Sequence, residues 1–352
     1  MQVNQRFVSK RLLLSLFFCA ANVILLQNFS LSKSSSFTFN LVCLIIGLGV
    51  CVLMFLPSII LKTKYNCDIV NLRKNSNSNS FYYLFAFYAA YFVYTAEYFL
   101  LPYTQMFRQK YYSQANEAII AFIILAVCFY AGCRGTNVIT RFAIFVFVFA
   151  LLTFILMFSG SASSLDFVHY SFELKGGAYE LVNNSLFFAT TSFIAVIFSC
   201  LSGYTQNFKP HQPIVTLGFV GVVFAAISFF VYFALGDYSQ SQSYQTYLFS
   251  KVAKISGLGG VESFYSALTT LCVFIAVSLM LCCINRGLQS KKPVINTAVF
   301  AVLILVLHIC ATSINSVKEI LTNQSIFLAL TFVSAFVIPL FTLLYVRRHE
   351  NA

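Results

Sequence analysis

Ten stretches of this chain are each apolar for about the ~20 residues that a helix needs to cross a bilayer. They fall at about 12–27, 40–61, 81–103, 118–133, 139–159, 181–204, 213–236, 263–285, 294–312 and 326–346. Each must satisfy its own backbone hydrogen bonds in lipid, which leaves helices as the economical solution. Composition excludes a soluble globular domain: 59% of the residues are hydrophobic, only 9% are charged and 41 are Phe, with a mean hydropathy of +0.83. The connections are too short to hold a core of their own. The expectation is an all-α polytopic integral membrane protein, one transmembrane domain over 1–352.

Charge orients it. The net charge of +12 comes without a basic run set in a polar domain, so nucleic acid is not the partner. Fifteen of the 22 Lys and Arg fall on one side, among them Lys10, Arg11, Lys62, Lys64, Arg134, Arg286 and Arg347. The positive-inside rule then places both termini in the cytoplasm. The stretch Asn71–Ser80 reads as a polar linker on that side. On the other side Tyr247, Leu248, Val252 and Ile255 recur at helical spacing, which predicts a short amphipathic helix able to act as a lid.

Catalytic chemistry finds no footing. The sequence has no Gly-rich phosphate loop, paired-carboxylate site or metal cluster, so neither an enzyme nor a cofactor is expected. The eleven Cys read as small apolar packing residues. Two ionisable residues lie inside apolar stretches. Glu97 sits roughly 9 Å inside the Tyr103 end at ~1.5 Å per residue. There a carboxylate must be protonated, paired or set against a wet cavity. Ala90, Tyr94, Glu97 and Leu101 share one helical face, which should look into a protein interior. His308 reads as a hydrogen-bonded packing residue.

Polar interruptions point to a site. Cys19, Ala20, Ala21 and Asn22 lie at the middle of the first stretch, and Ala189, Thr190, Thr191 and Ser192 at the middle of the sixth. The eighth carries Ser266, Thr269 and Thr270. Each alone fits ordinary contact between membrane helices. Breaks in stretches one and six occupy corresponding positions of two five-helix halves, about 12–159 and 181–346. That is the sequence pointer to an inverted-repeat transporter with a midplane site.

Three motifs add a resemblance. Tyr130–Ala143, with Arg134-Gly135 and Arg141, is similar to the cytoplasmic turn before the fifth span of the spore germination permeases. Ala96-Glu97-Tyr98-Phe99, followed by Leu101-Pro102 and Thr104, resembles that family's motif in span three. The segment from Tyr244 to Gly260, followed by Glu262, is similar to its outer segment before span eight. The family comprises the B subunits of nutrient germinant receptors, related to amino acid, polyamine and organocation permeases. The resemblance implies a five-plus-five fold in the spore inner membrane or cell membrane. It also implies partner A and C subunits and a small amino-acid-like nutrient held between spans one, three, six and eight.

On that basis Ala20, Ala21 and Asn22 with Thr190, Thr191 and Ser192 would present unwound backbone to the amino and carboxylate groups. Tyr94 and Glu97 would form a third wall, and Thr269 or Thr270 a fourth. Glu97 has a proton-coupling role as its alternative. A secondary amino acid or polyamine transporter is the second reading. A polysaccharide polymerase or flippase ranks third, because its chemistry calls for a large outer loop with Arg or His, and the longest outer connection, Asp237 to Glu262, has only Lys251 and Lys254.

Overall fold

A computed structural model describes residues 7–26, 36–66, 68–70, 80–111, 113–167, 176–236, 238, 244–254, 260–288 and 293–350. The chain is an all-α polytopic membrane protein. Among the described residues nine helices are long and apolar enough to cross a membrane. With α1 (Ser9–Leu26) enclosed between them, the bundle has ten spans. They are α1, α2 (Phe37–Tyr65), α3 (Ser80–Lys110), α4 (Glu117–Arg134), α5 (Thr136–Ser161), α6 (Ala178–Ala189) continued by α7 (Phe193–Leu201), and α8 (Gln212–Leu235). A short α9 (Gln245–Val252) precedes α10 (Glu262–Leu288), and α11 (Pro293–Ser313) is followed by a short α12 (Asn315–Thr322). The tenth span is α13 (Gln324–Phe332), a π turn over Val333–Val337 and α14 (Ile338–Glu350).

Local signals set the ends. Ser36 accepts from the Phe39 N–H and Asn116 from the Ala118 N–H, each capping a helix whose first amides lack intrahelical acceptors. Gly135, at φ 88°, makes the single-residue turn between α4 and α5 that a side chain would disfavour. Of the linker expected over Asn71–Ser80, residues 71–79 lie outside the described residues, and Ser80 opens α3. The sequence ends the third span at Tyr103, whereas α3 runs on to Lys110. Its polar last turns hold together by packing, since Tyr111 just past it bonds the Glu262 carbonyl.

The spans sort into an enclosed set and a lipid-facing set. In α1 and α7 nearly every described side chain is buried, as is most of α10 from Cys272 to Ile284, whereas Val127 on α4, Phe145 and Val148 on α5, and Val302 and Val306 on α11 stand exposed, as lipid-facing residues must. Much of the neighbour map repeats when shifted by five spans, although the contacts of the eighth span with the first and the fifth have no counterpart of like size. The first span packs on the fifth and seventh, and the sixth packs on the tenth and second. The third packs on the ninth, and the eighth on the fourth. The pairs one–six, two–seven, three–eight and four–nine map onto themselves. Five is odd, so along the chain the second half runs opposite to the first, the sense an inverted repeat would have.

Glycine permits close approach at the contact of the second span with the sixth. A Cβ on Gly47 of α2 would lie 2.5 Å from the Phe188 Cβ and 2.7 Å from the Ser185 carbonyl on α6. Across the same interface Asn184 donates to the Asn40 side-chain oxygen at 3.0 Å.

Candidate functional site

The two ends of the bundle differ. At the end carrying the start of α1, a two-residue parallel ladder pairs Phe7 with Thr205 and Val8 with Gln206. Ser9 donates to the Gln212 side chain at 2.8 Å, and buried Asp68 accepts from the Gly203 N–H at 3.0 Å. The chain before α1, the α2–α3 connection and the segment after α7 are therefore tied together at this end.

The opposite end holds a cavity of about 250 Å³ lined by Leu26, Tyr98, Pro102, Gln105, Phe187, Tyr244, Thr322 and Gln324. These residues come from the end of α1, α3, α6, the start of α9 and the junction of α12 with α13. The fold places each for a local reason. Pro102, lacking an N–H, cannot bond the Tyr98 carbonyl one turn earlier, which loosens α3 at the cavity. Asn323 caps α13 by accepting from the Ser325 and Ile326 N–H groups, fixing Gln324 at the rim. Tyr244 is held in the left-handed region at φ 61°, a conformation costing about 1–3 kcal/mol for a residue with a side chain. Burial pushes the Tyr244 phenol up to about 12, so it stays neutral and offers its hydroxyl.

The expected amphipathic helix is α9, ending at Val252, while Ile255 lies outside the described residues. It is fastened to the spans. The Tyr247 hydroxyl donates to the Glu262 carboxylate at 3.3 Å, and the Lys110 ammonium lies 5.6 Å from the Tyr247 ring. Burial first, and then the Glu262 charge, raises the Tyr247 phenol.

One helical turn deeper than Leu26 and Phe187, two buried polar atoms have no partner: Oδ1 of Asn22 on α1 and Oγ of Ser192. The amide of Asn22 donates to the Cys272 carbonyl at 3.0 Å, which holds the side chain in place and leaves Oδ1 unmet. Nε2 of Gln324 at the cavity is likewise buried and unpartnered. Such atoms each cost about 1–3 kcal/mol unless something completes them. Thr190, Thr191 and Ser192 form a 3-10 turn that interrupts the sixth span at its middle and packs on α1.

Other expected site residues sit differently. The first span has no break, because Cys19, Ala20, Ala21 and Asn22 are all within continuous α-helix. Small residues here serve close packing against α7 and α10. Thr190 and Thr191 donate to the Phe187 and Phe188 carbonyls, and Thr191 also meets the Cys51 thiol at 3.0 Å. Thr269 donates to the Tyr265 carbonyl, and Thr270 to that of Ser266, while Tyr103 bonds Thr270 at 2.9 Å. Tyr94 and Glu97 do not join this group. Their face, with Leu101, packs on α11 and α12, where Glu97 Oε1 lies 2.7 Å from His308 Nδ1 and the Tyr94 hydroxyl reaches the Ile320 carbonyl at 3.4 Å. Ala90 on that face is exposed.

Sequence reasoning missed Leu26, Gln105, Phe187, Tyr244, Thr322 and Gln324. Pro102 followed by Gln105 at the end of an apolar stretch was the available signal. The cavity residues include no charged side chain. They suit a small solute that accepts a hydrogen bond at Gln324 and, one turn deeper, donates one at Asn22. Compared with known protein families and with curated proteins, the chain matches none.

Proposed function

We propose that this chain binds a small neutral or zwitterionic nutrient of the amino-acid kind. The solute enters at the vestibule between α1, α3, α6 and α13 and is held one turn deeper, between Asn22 and the 3-10 turn at Ser192. The observation that carries this reading is a vestibule without charged side chains, with the unpartnered Gln324 Nε2 in its wall and two more unpartnered polar atoms, Asn22 Oδ1 and Ser192 Oγ, about a turn further along the spans that supply Leu26 and Phe187. An ammonium or amide N–H of the solute would satisfy Asn22 Oδ1, and a carboxylate or carbonyl would take the Gln324 N–H. Phe187 and Leu26 would cover its apolar part. The vestibule offers no carboxylate to a polyamine, which favours an amino acid over a polycation.

In a spore this fits the membrane subunit of a nutrient germinant receptor, acting with A and C subunits from the spore inner membrane. The three family-like motifs and the five-span repeat support that assignment. On the charge rule both termini face the cytoplasm and the vestibule faces outward. A vestibule at one end and segments tied together at the other also fit a secondary transporter of the same solutes, for which the tied end would have to open in turn. Binding of radiolabelled amino acids to purified protein tests the site. At least one should bind saturably, with affinity reduced about tenfold or more in Asn22→Leu and Gln324→Leu, as expected when a hydrogen bond worth ~1.5–3 kcal/mol is lost from a charged partner. No binding by any amino acid would remove the reading. Co-purification with A and C subunits, against net flux into proteoliposomes, separates receptor from transporter.

A further inference from the structure

Glu97 and His308 lie outside the vestibule, and the solute site makes no use of them. Both side chains are fully buried. Now that α3 is seen to run to Lys110, Glu97 sits roughly 20 Å from that end at ~1.5 Å per residue, near the middle of the helix. Oε1 meets His308 Nδ1 at 2.7 Å, while Oε2 has no partner. His308 Nε2 lies 3.5 Å from the Thr104 Oγ1, whose own hydrogen goes to the Leu101 carbonyl at 3.0 Å. Thr104 can therefore only accept, which assigns a hydrogen to Nε2. One further proton lies between Nδ1 and Oε1. It can rest on either side, giving ionised carboxylate with imidazolium or carboxylic acid with imidazole. Both arrangements have zero net charge, which is what an apolar surrounding tolerates.

We propose that Glu97 and His308 form a proton-binding site whose occupancy is linked to the vestibule through α12. Binding is the reaction of one proton with ionised Glu97 and neutral His308, raising the net charge of the pair from −1 to 0. Release returns it to −1 and requires water at the unpartnered Oε2. Access is governed by α12. Tyr94 bonds the Ile320 carbonyl, Leu321 is buried against Leu101 and Ala311 beside the pair, and Thr322, which follows Leu321, belongs to the vestibule wall. A movement of α12 at the vestibule therefore uncovers the pair.

Among the described residues no ionisable side chain but His308 acts on Glu97. Nearest along α3 are Tyr91, Tyr94, Tyr98 and Tyr103; α11 also carries Cys310 and α12 carries Lys318 and the exposed Glu319, while α4 and α10, which pack on α3 and α11, contribute the buried Cys128, Tyr265, Cys272, Cys282 and Cys283. Tyr91 is bonded to Thr331, Tyr103 to Thr270, and Tyr98 is stacked on Phe327.

The linkage rests on the vestibule being a solute site, but the proton site does not. The test therefore uses protons alone. Proteoliposomes on a solid-supported membrane receive pH steps across neutral pH with no solute present. The wild-type chain should give a transient charge displacement above that of empty liposomes. The double variant Glu97→Gln/His308→Gln, which keeps hydrogen-bonding groups but has neither titratable group, should lose it, and each single variant, left with one of the two, should move it along the pH scale. Leu321→Ala leaves the pair intact and thins its cover, so it should speed the displacement. A wild-type response equal to empty liposomes, retention of the displacement in the double variant, or an unchanged time course in Leu321→Ala would each overturn the proposal. A displacement without any amino acid binding would instead remove the solute reading and leave the proton site standing.

Discussion

Tyr98 and Phe327 stack face to face, with ring centroids 3.9 Å apart and planes inclined by 14°. The contact joins the third and tenth spans beside the vestibule, and Phe327 also meets Tyr94, Phe99 and Phe193. A fully buried ring at the centre of four others is costly to remove. Phe327→Ala should lower stability by about 3–5 kcal/mol. Phe327→Leu, closer in volume, should lose less, because only the stacking and a smaller void separate them. Denaturant unfolding in detergent micelles measures both.

Gly47 and Gly49 make a paired test of the interface between the second and sixth spans. A methyl group on Gly47 would strike Phe188 and the Ser185 carbonyl, and the backbone there cannot yield without moving the span. Nothing lies within 4 Å of a Cβ on Gly49. Gly47→Ala should destabilise by about 1–3 kcal/mol. Gly49→Ala should be neutral or stabilise by up to about 1 kcal/mol through helix propensity. Thermal unfolding of the two variants side by side gives the comparison.

Asp68 ties the α2–α3 connection to the segment after α7 through the Gly203 N–H. Asp68→Ala should cost about 1.5–3 kcal/mol, the range for a hydrogen bond to a charged group. It should also speed hydrogen exchange at residues 202–206, where β2 pairs with β1. Unchanged exchange there would mean that the strand pairing holds this segment without the carboxylate.

The vestibule phenol gives a pH dependence at the alkaline end. The folded protein holds the Tyr244 proton up to about 12, whereas an unfolded phenol releases it near 10. The folded state thus binds more protons over that interval. The stability contributed is fully present below about pH 10 and is lost as pH rises towards about 12. Ultraviolet phenolate absorbance should show late titration, and Tyr244→Phe should lower its amplitude by one phenol while flattening part of the alkaline loss of stability.

The spans were legible because a bilayer imposes length and apolarity on each one, and all ten stretches lie on helices in the structure. The third ran further than its apolar content because Gln105 to Lys110 are held by contacts with other elements, which a window of hydropathy does not see. The interruption at Thr190–Ser192 was legible because three hydroxyls offer the backbone alternative partners. The same reasoning failed at Cys19–Asn22, where small residues answer a need for close packing and the helix stays whole. Glu97 announced itself as a carboxylate in an apolar segment. Its partner, the other ionisable residue deep within a span, could have been matched to it by complementary chemistry alone. The vestibule was not legible, because its eight residues come from distant parts of the chain and only the fold assembles them.

Labelling from one face of the membrane addresses the solute vestibule most directly. Gln105→Cys and Thr322→Cys place a thiol in its wall, to be read against the parent chain with a membrane-impermeant maleimide on intact cells. We expect both to label from outside, and a saturating mixture of free amino acids to slow the reaction. Labelling only after permeabilisation, or at a rate indifferent to every amino acid, would contradict an outward-facing site for a small nutrient.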